Sequence, residues 1–180
     1  MLGIERPSRV NIMSKQVLII GPSGAGKTYI SAALREKGVN AIDGDLVDGL
    51  SGWFDSNSRE VDCPPNADQE FLDSHEFLWN RDFLKNHLQG RNEIYLFGMS
   101  GNVFDMIDLF DKVYFLKASP ELLAERLRCV SRENPMGKTD YQLQNALKWA
   151  KEIEEKASKL NIGMIDANQS PKDIFAQISK

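Results

Sequence analysis

The sequence predicts an α/β fold in which a parallel sheet is covered by helices on both faces. Short apolar segments typical of buried strands alternate with longer segments whose apolar residues recur at helical spacing. The chain has 180 residues, 42% of them hydrophobic and 27% charged, which is enough for one domain with a substantial core. We expect a single domain over residues 13–180, preceded by a flexible extension over residues 1–12.

The first half of the chain predicts three strands and two helices. A continuous apolar run at residues 17–20, closed by Gly21 and Pro22, is typical of a strand buried on both faces. A helix over 27–37 stops before Gly38, and a second strand covers 39–43. Residues 49–69 are rich in turn formers, with Trp53 and Phe54 as apolar anchors. A helix over 71–88 and a third strand over 93–97 follow.

The second half predicts two further strands and four helices. A short helix begins after Asn102, which is expected to cap it, and the fourth strand covers 113–116. Ser119 with Pro120 is typical of a helix start, here for a helix over 120–130. Thr139 and Gln142 form a capping box for a helix over 139–160. The fifth strand covers 162–167, and the last helix begins at Ser170-Pro171.

A phosphate-binding motif lies between the first strand and the first helix. Its residues are Gly21, Pro22, Ser23, Gly24, Ala25, Gly26, Lys27 and Thr28, which fit the pattern G-x-x-x-x-G-K-[ST]. The backbone N–H groups of such a loop surround the phosphates of a nucleotide, and the helix dipole adds positive potential. Lys27 would reach the β- and γ-phosphates, and Thr28 would bind Mg²⁺. The alternative is a glycine-rich turn with an exposed lysine.

Two carboxylates, Asp43 and Asp45, follow the second strand directly. Ligands of open parallel sheets bind outside the carboxyl ends of the strands, so both carboxylates are expected near the phosphate loop. One of them can orient the water ligands of Mg²⁺, and the other can accept the proton of an attacking hydroxyl group. The alternative is that one of them only caps the following turn.

Arginines near the end of the 120–130 helix are candidates for phosphoryl-group binding. Arg128 and Arg132 lie four residues apart and would share one helical face if the helix extends that far. Such a pair could act from a lid at about residues 128–139 that closes over the phosphates. The alternative is a solvated surface on which the arginines pair with neighbouring glutamates.

Other polar residues are candidates for ligand binding. Ser100 and Asn102, in the loop after the third strand, could hold a substrate, although the loop could equally be a tight turn with a helix cap. Arg81 suits an anionic substrate. Asn168, in the turn after the fifth strand, could line an adenine pocket, or the turn could be a plain loop.

Charge and composition exclude several classes of protein. The net charge of −4 argues against nucleic acid as the main partner, and no apolar stretch is long enough for a membrane span or a signal peptide. Cys63 and Cys129 are isolated, which predicts neither a disulfide framework nor a zinc site. We expect a cytoplasmic monomer or homodimer with a small-molecule partner.

These motifs together resemble the small P-loop kinases, the group of shikimate, gluconate, nucleoside and nucleotide kinases. The resemblance covers residues 15 to about 178. It implies the three-layer P-loop NTPase fold with a five-stranded parallel sheet of order 2-3-1-4-5. It also implies that ATP and Mg²⁺ are bound, that Asp43 is the Mg²⁺-associated carboxylate, and that Asp45 contacts the acceptor hydroxyl.

The sequence departs from the named kinases where they bind their acceptors. After Asp45 it lacks the arginine and glycine spacing of shikimate kinases and the histidine of gluconate kinases, and Val130 stands where the common lid pattern has an arginine. The third strand ends in Gly98, where an ATPase motor would show an acidic pair. The sequence therefore predicts an ATP-dependent phosphotransferase with an unidentified small acceptor. The alternatives are a nucleotide-binding regulatory module without productive transfer and, less compatible with the charge, a kinase of polynucleotide ends.

Overall fold

A computed structural model describes residues 15–64, 67–129 and 139–180. The predicted extension over 1–12, the greater part of the predicted lid, and Arg132 lie outside the described residues. In chain order the elements are β1 (Lys15–Ile20), α1 (Lys27–Arg35), β2 (Ala41–Asp43), β3 (Ser51–Phe54), β4 (Glu60–Val61), α2 (Gln69–Ser74), β5 (Glu76–Trp79), α3 (Arg81–Leu88), β6 (Glu93–Phe97), β7 (Lys112–Lys117), α4 (Pro120–Arg128), α5 (Asp140–Lys159), β8 (Gly163–Asp166) and α6 (Pro171–Ile178). Short 3-10 helices cover Gly44–Leu46 and Val103–Leu109.

The main sheet has five parallel strands in the order β2-β6-β1-β7-β8. Counted among themselves along the chain, these strands have the order 2-3-1-4-5. The predicted fold class and strand order are therefore confirmed. Because the strands are parallel, the carboxyl ends of β1, β2 and β6 lie at one edge of the sheet, and the loops that follow them meet there.

Helices cover both faces of this sheet, as the continuous apolar strands require. Along β1, Val17 and Ile19 face a core shared with α1, α4 and α6, whereas Leu18 and Ile20 face a core shared with α3 and the 3-10 helix after β6. Helix α5 contributes side chains to both cores. All four β1 residues are fully buried, which fixes the strand at the centre of the sheet.

A second, antiparallel sheet with strand order β4-β3-β5 lies between β2 and β6 in the chain. The predicted helix over 71–88 is wrong here: β5 separates α2 from α3. The backbone of residues 76–79 pairs with β3, so that Trp53 is opposite Phe77. Asn80 then starts a new helix, since its side chain accepts a hydrogen bond from Phe83 N–H at 3.0 Å. Strand pairing within the fold has overridden a local pattern that also fits a helix.

The stretch over 49–69, expected to be irregular, contains β3 and β4. The caps predicted for the later helices are confirmed. Ser119 and Ser170 accept hydrogen bonds from the first turns of α4 and α6, and Thr139 forms a capping box with Gln142 at the start of α5. Within the described residues, no helix combines the length and the apolar character needed to cross a membrane.

Candidate active site

The phosphate-binding motif forms a compact loop between β1 and α1. Gly24 and Gly26 have φ angles of +87° and +94°, a region that favours glycine because it has no Cβ. The Lys27 side chain is 9% exposed, and its ammonium group donates hydrogen bonds to the carbonyl oxygens of Gly21 and Pro22 at 2.7 and 3.0 Å. Thr28 is exposed in the first turn of α1. The loop thus places its lysine and the start of a helix at one point of the sheet edge.

Among the arginines that the structure describes, Arg126 on α4 donates hydrogen bonds to this loop. Its guanidinium group donates hydrogen bonds to the carbonyl oxygens of Gly24 and Ala25, both at 3.3 Å, and to that of Ala167 at 3.4 Å. The side chain therefore connects the phosphate loop to the turn after β8. Sequence reasoning chose other arginines, because the register of the helix relative to the loop cannot be inferred from spacing alone.

Arg128, predicted as a catalytic residue, points elsewhere. Its guanidinium group forms an exposed ion pair with Asp140, with 2.6 Å between the nitrogen and the carboxylate oxygen. The pair connects the end of α4 to the start of α5. The structure thus places the Arg128 guanidinium group at Asp140 and not at the phosphate loop, in contrast to the expectation. The role of Arg128 in catalysis stays a prediction.

Asp43, at the end of β2, is buried with 2% of its surface exposed. One carboxylate oxygen accepts a hydrogen bond from the Asp45 backbone N–H at 3.1 Å. The other oxygen is buried and has no hydrogen-bond partner among the described residues. A buried carboxylate oxygen without a partner is costly unless something else binds it, and Mg²⁺ with its water ligands is a suitable group. The donor set therefore fits the predicted metal.

Asp45 lies two residues further along the chain and is exposed in the site. Nearby protein atoms displace part of the water around its carboxyl group, and this loss of solvation raises its pKa. The positive charge of Lys27 and a hydrogen bond from the Met99 backbone oppose the shift, while the negative charge of Asp43 adds to it. A carboxylate with a raised pKa is better suited to accept a proton near neutral pH.

Trp79 packs under this carboxylate and determines the shape of the loop beneath it. Its indole ring is 3% exposed and lies against Gly44 and Gly98. A Cβ atom on Gly98 would come within 2.4 Å of the ring and within 3.6 Å of an Asp45 carboxylate oxygen. The contact with the ring therefore requires glycine directly after β6, whereas the distance to the carboxylate is an ordinary van der Waals contact.

Asn102 connects the loop after β6 to strand β5. Its side chain accepts a hydrogen bond from Trp79 N–H and donates one to Trp79 C=O, both at 2.9 Å, and it also accepts one from the Ser100 hydroxyl at 2.9 Å. The expectation that it caps the next helix is wrong, because these bonds occupy its side chain. Ser100 is 2% exposed and likewise engaged within the loop. Asn102 thus connects the loop after β6 to the second sheet, and Ser100 supports Asn102 within the loop. Their binding of substrate stays a prediction.

Arg81 and Asn168 lie apart from these carboxylates. The Arg81 guanidinium group forms a two-bond ion pair with Asp108, which raises the pKa of Arg81 and lowers that of Asp108. Arg81 is thus engaged outside the site, and the structure does not place it beside the predicted substrate. Asn168 is exposed in the turn after β8, next to the Ala167 carbonyl group that Arg126 binds.

A cavity of about 520 Å³ extends from the phosphate loop to the second sheet and α5. Ser23 and Lys27 of the phosphate loop line it, together with Asp45 from the loop after β2. The rest of its described lining comes from the second sheet, α2, the β6 loop, α4 and α5, through Trp53, Gln69, Leu72, Asp73, Phe77, Met99, Leu127, Gln142, Asn145, Ala146 and Trp149. Sequence reasoning missed most of this second group, because the residues that form it lie up to about a hundred positions apart.

Comparison with known families matches residues 17–158 to the family described as an AAA domain. The chain belongs to that family. Comparison with curated proteins finds no match.

Solved structures similar to this AAA domain include small P-loop kinases. A shikimate kinase from Acinetobacter baumannii, in complex with shikimate, has a TM-score of 0.59 at 18% identity over 96% of this chain and 95% of that one. A gluconokinase from Sinorhizobium meliloti 1021 has a TM-score of 0.52 at 18% identity over 92% and 90%. A shikimate kinase from Bacteroides thetaiotaomicron has a TM-score of 0.54 at 18% identity over 92% and 94%. The resemblance to the small P-loop kinases is thereby confirmed for the fold.

Proposed function

We propose that this AAA domain is an ATP-dependent phosphotransferase that moves the γ-phosphoryl group of ATP to a small hydroxyl- or phosphate-bearing acceptor. The observation that carries the proposal is that Lys27 and Asp45 line the same cavity. The Lys27 ammonium group, which can bind phosphate, and the Asp45 carboxylate, which can accept a proton, are thus both accessible from the same cavity. Strand β6 is followed by Gly98 and Met99 rather than by an acidic pair, which argues against an ATPase motor despite the family's name.

In this proposal the loop amides and Lys27 bind the phosphates of ATP and stabilise the charge that develops during transfer. To do so, the Lys27 ammonium group exchanges its hydrogen bonds to the loop carbonyl groups for bonds to phosphate oxygens. Arg126 holds the loop through the carbonyl groups of Gly24 and Ala25, which keeps the loop amides available for phosphate. In this proposal these residues act by orienting the phosphates for attack and form no covalent bond themselves.

Asp45 orients the acceptor hydroxyl group and accepts its proton as the oxygen attacks the γ-phosphorus. One bond forms between the acceptor oxygen and phosphorus, the bond to the bridging oxygen of ATP breaks, and ADP leaves. Asp43 and Thr28 would hold Mg²⁺, which supplies positive charge for the phosphate oxygens when bound. The raised pKa of Asp45 supports its role as the proton acceptor.

The test compares Lys27→Ala with wild type in ADP production from ATP and Mg²⁺, using a panel of nucleosides, nucleotides and sugar acids. We expect a compound in the panel to raise ADP production by wild type, and Lys27→Ala to abolish that increase while its circular dichroism stays native. Lys172→Ala, on the exposed surface of α6, is the matched control and keeps full activity. Unchanged activity in Lys27→Ala contradicts the assignment. ATP binding without an increase by any compound favours the regulatory module instead.

A further inference from the structure

We infer that the acceptor is an uncharged nucleoside, whose flat heterocycle stacks on aromatic side chains of the cavity and whose hydroxyl group faces Asp45. The inference rests on the proposed function and specifies its acceptor. The supporting observations concern the acceptor half of the cavity, which lies away from the phosphate loop and is lined by side chains of the second sheet, α2 and α5.

Aromatic side chains from different elements of the fold line that half. Trp53 and Phe77 come from the second sheet, with their ring centroids 5.6 Å apart, and Trp149 comes from α5. None of the three is buried, and Trp149 is 37% exposed although it is one of the largest apolar side chains. Apolar rings that face a cavity rather than a core offer surfaces on which a flat ligand can stack, and bases stack well on such rings.

Oxygen acceptors in the same half suit the edge of a heterocycle. The Gln69 amide donates a hydrogen bond to the Asp73 carboxylate at 2.6 Å, which holds the carboxylate in position one turn along α2. Asn145 adds a further amide from α5. Carboxylate and amide oxygens accept hydrogen bonds from the amino and ring N–H groups of nucleobases.

Charge selects against anionic acceptors. Asp45 and Asp73 both line the cavity, and Lys27 is the one lysine or arginine in its described lining. Its ammonium group lies at the phosphate loop, bound to the Gly21 and Pro22 carbonyl groups. Within the described lining, the carboxylate of a sugar acid would therefore meet two carboxylates and, away from the phosphate loop, no lysine or arginine. A neutral nucleoside has no such cost.

The binding test measures the melting temperature with Mg²⁺ and a non-hydrolysable ATP analogue present throughout. The ligands are adenosine, guanosine, cytidine and uridine, their 5′-monophosphates, shikimate and gluconate. We expect at least one nucleoside, at about 100 times its Kd, to raise the melting temperature by roughly 5–10 °C, and the sugar acids to leave it unchanged. Stabilisation by a sugar acid or a monophosphate but by no nucleoside overturns the inference, and so does stabilisation by none of them.

A variant locates the binding site in the cavity. Trp149→Ala is expected to raise the Kd of the nucleoside by roughly 5- to 100-fold, because stacking on one aromatic ring is lost. Tyr141→Ala removes an exposed aromatic side chain from the same helix outside the cavity lining and is expected to leave the Kd unchanged. An unchanged Kd in Trp149→Ala overturns the placement of the heterocycle.

Product analysis separates this inference from the proposed function. If a sugar acid is phosphorylated and nucleosides are not, the chain is a phosphotransferase and the inference is wrong. If nucleosides bind as expected but receive no phosphoryl group, the inference about the ligand stands and the proposed function fails.

Discussion

Replacement of Gly98 by alanine tests whether the Trp79 ring and the end of β6 determine the geometry of the site. The new Cβ would lie 2.4 and 2.8 Å from two atoms of the indole ring. Carbon atoms in contact are normally about 3.5–4.0 Å apart, so the overlap is about 1 Å. The ring is rigid and 3% exposed, and the strand beneath it is buried, so neither can move without disturbing the core.

Overpacking of this kind costs about 1–3 kcal/mol of the free energy of unfolding. For a domain of this size, each kcal/mol lowers the melting temperature by about 2–4 °C. Relief of this clash requires the ring or the loop after β6 to shift, and Asp45 lies next to both, so Gly98→Ala is further expected to lower kcat/KM by roughly tenfold. Urea unfolding followed by circular dichroism measures the first effect, and acceptor-stimulated ADP production measures the second.

Gly101→Ala is the matched control from the same loop. Its Cβ would lie 3.2 Å from the flexible end of Leu78, so we expect a much smaller loss of stability. Trp79→Leu removes the ring atoms that clash with the new Cβ. The double variant Gly98→Ala/Trp79→Leu should therefore lose less free energy of unfolding than the sum of the losses in the two single variants. Equal stability of Gly98→Ala and wild type, or additivity in the double variant, would show that the Trp79 ring does not restrict the residue after β6.

Three further predictions concern neighbouring side chains. Because the folded protein raises the pKa of Asp45, wild type should lose stability as the pH rises from about 4, the pKa of this group in the unfolded chain, through its pKa in the folded protein. Asp45→Asn should lack that loss and be more stable than wild type at pH 7. Urea unfolding at a series of pH values measures both effects. Arg126→Ala should raise the KM for ATP by roughly tenfold, whereas Arg128→Ala, which breaks only an exposed ion pair, should leave it within about twofold. Asn102→Ala leaves the N–H and C=O of Trp79 without their partners, so it should cost about 1–3 kcal/mol in urea unfolding, and a native midpoint would contradict this.

The main sheet could be predicted because its signals are local. Apolar runs such as residues 17–20 identify buried strands, and caps such as Ser119 and Thr139 identify where helices begin. The phosphate loop is equally local, since its glycines, Lys27 and Thr28 are contiguous. The strand order came from resemblance to a family rather than from any of these patterns.

The second sheet and the acceptor half of the cavity depend on contacts between distant residues. Residues 76–79 fit a helix by local pattern and form a strand because β3 pairs with them. Trp149 lies on a helix that begins after the predicted lid, and nothing in its immediate sequence indicates that it lines the same cavity as Trp53. Likewise, which of the neighbouring arginines reaches the phosphate loop depends on how α4 packs against it.

The most direct test of phosphoryl transfer is mass spectrometry of the acceptor panel after incubation with ATP and Mg²⁺. Wild type is expected to produce one acceptor that carries a single added phosphoryl group, together with an equal amount of ADP, and Asp45→Asn is expected to produce neither. Release of ADP and inorganic phosphate without any phosphorylated acceptor would contradict the account.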